Sequence, residues 1–81
     1  MKLPRDLDAP TLIRALARLG YAVVRQTGSH VRLQRDATPR HAITIPNHAP
    51  LRVGTLAGIL AEVARHHGVS REQLLLRLFG D

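Results

Sequence analysis

Gln26-Thr27-Gly28-Ser29-His30-Val31-Arg32-Leu33-Gln34-Arg35 is the stretch that decides the fold. Its first four residues carry turn chemistry, and from His30 onward polar and apolar residues alternate strictly. A strand patterned this way buries one face only, with Val31 and Leu33 inward and His30, Arg32 and Gln34 facing water. Upstream, Val23 and Val24 after Tyr21 predict the other arm of a hairpin, whose phase the sequence leaves open. Downstream, the loop Asp36-Ala37-Thr38-Pro39-Arg40 leads to Ala42-Ile43-Thr44-Ile45. This is a third strand, with Ile43 and Ile45 inward and Pro46 at its end.

Helices flank these strands. Asp8 reads as an N-cap with Pro10 in the first turn, and Leu12, Ile13, Leu16 and Leu19 recur at helical spacing until Gly20. After a second loop, Pro46-Asn47-His48-Ala49-Pro50, a helix is expected from about Val53 through Leu56, Ile59, Leu60 and Val63 to Gly68. Ser70 with Gln73 gives a capping box that opens a short last helix carrying Leu74, Leu75, Leu78 and Phe79. An antiparallel meander with one apolar face needs its helices on that face. The expected fold class is therefore α+β: an α-β-β-β-α two-layer sandwich with an extra short C-terminal helix, its His30 face left open. Double-stranded-RNA-binding domains share this element order.

With 81 residues and no linker-like stretch, the chain reads as a single domain over 1–81. It has no Cys, so disulfides are excluded and a structural zinc would rest on His and carboxylates alone. No apolar run exceeds four residues, and Met1-Lys2-Leu3-Pro4-Arg5-Asp6 lacks an apolar secretion segment. A soluble, cytoplasmic protein without membrane contact is expected. The net charge of +6 and a pI of about 11.6 point to a polyanionic partner. One Lys against eleven Arg favours bidentate phosphate recognition. With only Tyr21 and Phe79 as aromatics, a base-stacking platform of the single-strand-binding kind is disfavoured.

Four chemistries compete for this charge. Metal binding is disfavoured because the five His, at 30, 41, 48, 66 and 67, include no i, i+4 pair and have few carboxylates near them. His66 and His67 read instead as a solvated helix end interacting with the helix dipole. A helix-turn-helix DNA reader is suggested by Ala64 to Ser70 followed by Leu74, yet Leu74-Leu75-Leu76 leaves few polar residues for base edges. A non-catalytic double-stranded-RNA module would need a Lys-rich start to its second helix, where this chain has Val53-Gly54-Thr55-Leu56-Ala57-Gly58. The fourth is RNA cleavage without metal or other cofactor. RNA supplies its own nucleophile in the 2′-OH, histidine, ordinarily titrating near 6.5, is a natural base for it, and Arg32 beside His30 can stabilise phosphate charge.

Gly28-Ser29-His30 after a helix ending in Gly20-Tyr21, Ile45-Pro46-Asn47-His48 closing the third strand, and Gly54-Thr55-Leu56 with Ile59-Leu60 resemble the HicA (YcfA-like) toxin family of bacterial toxin–antitoxin modules. The resemblance covers nearly the whole chain. It implies a double-stranded-RNA-binding-like fold and metal-independent cleavage of mRNA. It also implies neutralisation by a HicB-type antitoxin, with no DNA contact by the toxin alone. By that carry-over the active-site histidine is His30. The candidate RNA-binding residues are Arg25, Ser29, Arg32, Arg35, Arg40 and Thr44. The general acid is open between His41, His48 and water. His48 fits the family's Pro-X-His pattern and reads as loop structure. Extra residues around Glu62-Val63-Ala64-Arg65 lengthen the long helix relative to shorter relatives.

Overall fold

Strand parity governs the sheet in the computed structural model, which describes residues 3–80. Met1 and Lys2, which open the segment read above for a secretion signal, and Asp81, which ends the 1–81 domain, lie outside the described residues. The elements are α1 (Ala9–Ala17), β1 (Tyr21–Gln26), β2 (His30–Arg35), β3 (His41–Pro46), α2 (Val53–His67) and α3 (Arg71–Phe79). The three strands form one antiparallel sheet in the order β1-β2-β3. Val31 pairs with Ile45 and Leu33 with Ile43, and all four are buried, as alternation requires. His30, Arg32, Gln34 and Thr44 are exposed on the other face. The fold is the expected α+β, double-stranded-RNA-binding-domain-like arrangement with its additional helix.

β1 departs from simple alternation. Tyr21 pairs with Arg35 and Val23 with Leu33, but the register then shifts so that Arg25 faces Arg32. Val24 is the extra residue of this bulge, which is why the strand has no single phase in sequence.

The helices close the apolar face into one cluster. Leu12 and Leu16 of α1, Leu56, Leu60 and Val63 of α2, and Leu74, Leu75 and Leu78 of α3 meet Leu33 and Ile45 of the sheet. Asp8 caps α1, its carboxylate accepting from the Thr11 amide at 2.9 Å, and this contact with Thr11 holds the carboxyl below its ordinary pKa. Gly68, at φ +66°, ends α2 in the left-handed conformation that glycine tolerates. Ser70 and Gln73 then form the reciprocal capping box. Arg18 ties α1 to the end of α3 through the carbonyls of Leu78 and Gly80, at 2.8 and 3.0 Å. The α2–turn–α3 unit thus has helix-turn-helix spacing, but α3 spends Leu74, Leu75 and Leu78 on the core. Among the described residues no helix is long and apolar enough to cross a membrane.

The end of α2 is not the solvated helix end expected at His66 and His67. Tyr21 Oη lies 2.9 Å from His67 Nε2 and 2.6 Å from His41 Nδ1, and His66 stacks on His41 with centroids 4.1 Å apart. Four rings from three sequence-distant elements close over this end of the sheet, so the histidines work as packing groups there.

Candidate active site

The turn between β1 and β2 is held on both sides. The Thr27 amide donates to the His30 carbonyl at 2.9 Å, and the His30 amide donates to Thr27 Oγ1 at 3.2 Å. From the neighbouring strand end, the Asn47 amide donates to the Ser29 carbonyl at 2.9 Å, while His30 pairs with Pro46. A short flexible turn is thereby anchored to the β3–α2 loop, and the His30 side chain emerges from a fixed backbone onto the open face.

Around it lies a shallow depression of about 330 Å³ lined by Arg25, Thr27, His30, Arg32 and Thr44. Arg32 Nη1 donates to Thr44 Oγ1 at 2.9 Å, and Ser29 Oγ lies 2.9 Å from His30 Nδ1. Arg25 and Arg32 are direct cross-strand partners. Like charges so placed repel, and none of the residues lining the depression is a carboxylate to offset them. A phosphate between them would relieve that repulsion and gain charge-assisted hydrogen bonds.

Arg25, Ser29, Arg32 and Thr44 are therefore brought together with His30, and Arg35 and Arg40 are not. β2 runs from His30 to Arg35, six residues, so the two lie five steps or roughly 17 Å of strand apart. Arg35 shares the parity of Val31 and Leu33, a signal present in the sequence, and turns away from the open face. Its Nε donates to the Leu19 carbonyl at 2.6 Å, and its Nη1 to those of Ala37 and Pro39 at 2.9 and 2.8 Å. Arg40 is exposed on the adjoining loop. His41, opposite Arg35 and bonded to Tyr21 and Glu62, stands at the same far end, away from His30. His48 is exposed, and its backbone organises the loop by accepting from the Ala9 amide at 3.1 Å. Thr27 is the residue that sequence reading missed. Its place two residues before Ser29, with a hydroxyl able to close a local turn, was the available clue.

A separable prediction follows for the arginines. Replacing Arg25 or Arg32 by alanine should weaken RNA binding and reduce the slope of log affinity against log salt by about one each. Arg35→Ala should leave that slope unchanged and lower the urea midpoint, since three backbone carbonyls lose their donor. Equal slopes for Arg32→Ala and wild type would place phosphate binding elsewhere.

No curated protein and no solved structure matches the chain. The family described as the HicA toxin of bacterial toxin-antitoxin matches residues 9–71, a span that takes in α1, the whole sheet, its anchored turn and α2, and the chain therefore belongs to the HicA toxin family.

Proposed function

We propose that this toxin is a metal-independent endoribonuclease that cleaves mRNA at the His30 depression and is silenced when its antitoxin, of the HicB type, covers that face. The observation that carries this reading is a histidine on an anchored turn, opening into a depression that also holds a mutually repelling Arg25–Arg32 pair. With Nδ1–H donating to Ser29 Oγ, Nε2 of His30 is the nitrogen free to accept a proton. It takes the proton of a ribose 2′-OH as that oxygen attacks the adjacent phosphorus. Arg32, oriented by Thr44, and Arg25 stabilise the charge that builds on the phosphoryl oxygens. The 5′-oxygen leaves with a proton from His48 or water, giving a 2′,3′-cyclic phosphate and a 5′-hydroxyl. Arg40 extends the basic surface along the RNA. A protein with a +6 charge attracts an acidic antitoxin to the same face by the steering that brings RNA there, and a cytoplasmic location fits both partners.

The test is the chemistry of the cut. Cleavage should persist in EDTA, leave a cyclic or hydrolysed 3′-phosphate end, and fail on an RNA carrying a single 2′-deoxy sugar at the cut. Cleavage of the 2′-deoxy substrate, or its arrest by EDTA, would remove the 2′-OH mechanism.

A further inference from the structure

Away from the depression, five side chains from three elements meet at the other end of the sheet. Glu62 Oε2 lies 3.0 Å from His41 Nε2, His41 Nδ1 lies 2.6 Å from Tyr21 Oη, and Tyr21 Oη lies 2.9 Å from His67 Nε2. His66 stacks against His41, and its Nε2 is buried without a hydrogen-bond partner. Tyr21 is only 3% exposed, so its hydroxyl is confined to the two imidazoles within reach.

Counting protons along this chain gives two complete arrangements. In the first, His41 Nε2–H donates to Glu62, the Tyr21 hydroxyl donates to His41 Nδ1, and His67 Nε2–H donates to the Tyr21 oxygen. In the second, one proton has been added to His41. The imidazolium now donates to both Glu62 and Tyr21, the hydroxyl turns to donate to His67 Nε2, and the His67 proton moves to Nδ1. All three hydrogen bonds survive, and the new charge sits against a carboxylate. A second proton, on His67, has no such solution. Two N–H groups then point at one hydroxyl whose own hydrogen has lost its acceptor, and two imidazolium rings flank Tyr21.

We propose that Tyr21, His41, Glu62 and His67 form a proton-binding junction that takes up one proton on His41 intact and comes apart when a second reaches His67, loosening the end of α2 and the attached α3 from the sheet. The junction is independent of the RNA-cleavage reading. Every element packed against it disfavours the second charge. β2 brings Arg35, α2 brings His66 beside His67, β3 brings His41, and α3 brings Arg77, while the one carboxylate, Glu62, already serves His41. Burial, followed by these charges, depresses His67 below its ordinary 6.5, and burial pushes the Tyr21 hydroxyl up, keeping it protonated as the shared donor. Because the folded pKa of His67 is the lower one, its contribution to stability is complete above about 6.5 and is lost as the pH falls toward the folded value. Glu62 also lines the groove that holds Arg32 and Thr44, so the junction reaches the edge of the candidate site through that carboxylate.

The test is imidazole NMR of the full chain during acidification, with amide exchange followed in parallel. At neutral pH, His41 and His67 should both carry Nε2–H. His41 should become doubly protonated first as His67 switches to Nδ1–H, and amide protection in α3 should fall only when His67 is protonated in turn. Protonation of His67 before His41, or protection in α3 that survives protonation of both, overturns the proposal. In wild type the unfolding constant should rise by up to about tenfold per pH unit below about 6.5. His67→Gln, which keeps an amide donor for Tyr21, should lose that rise. The same pH slope in His67→Gln as in wild type also overturns it, and if the variant does not fold, the wild-type spectra decide.

Discussion

His30→Ala is expected to lower RNA cleavage by about 10²–10⁴, the range that a positioned general base contributes, while RNA affinity at matched salt stays within a few-fold of wild type. The two effects separate because the residues proposed to hold phosphate, Arg25 and Arg32, keep their places on the sheet when one exposed ring is removed. Stability should change by less than about 0.5 kcal/mol, since the ring's one hydrogen bond is to the exposed Ser29 and the backbone bonds of the turn survive. Expression toxicity should vanish with turnover. Single-turnover cleavage at the wild-type rate by His30→Ala would exclude the histidine as base. A parallel collapse of RNA affinity would make it a binding residue.

Leu60→Ala is the change expected to cost the fold most, about 2–5 kcal/mol by urea denaturation. Leu60 is fully buried within the cluster that joins α2 to the sheet and to α3. A chain of this size has a total stability of about 4–12 kcal/mol, by the usual per-residue range, and it has no disulfide to fall back on. The substitution should therefore leave the protein near the edge of unfolding and lose toxicity through abundance rather than chemistry. A midpoint shift worth less than about 1 kcal/mol would mean that α2 is not the element that closes the core.

Most of the fold was legible because the physical signals were local. Strict alternation in β2 and β3 identified the buried face, caps opened α1 and α3 where read and Gly68 closed α2, though α1 ends at Ala17, short of Gly20, and the Ser70–Gln73 box formed as read. β1 was legible as a strand but its phase was not, because the bulge at Val24 shifts the phase that a two-residue period relies on. The grouping of Arg25, Arg32 and Thr44 around His30 was partly legible from parity. The diversion of Arg35 was readable by the same rule and was outweighed by its charge. The histidine junction carried no local signal. His67 meets a tyrosine 46 residues away and His41 a glutamate 21 residues away, separations that only the folded chain reveals.

The bulge in β1 bears on how the molecule survives crowding by its own copies. β1 is an outer strand, and Val23 and Val24 stand 46% and 54% exposed along it, the kind of flat apolar rim onto which a second chain's strand would add. The misplaced Val24 breaks the regular spacing of amides and carbonyls on that rim, and Arg25 follows with a charge. An incoming strand would lose register at the bulge and meet a guanidinium immediately after it. The irregularity that hid the strand's phase thus also works against strand addition at the β1 edge of the sheet.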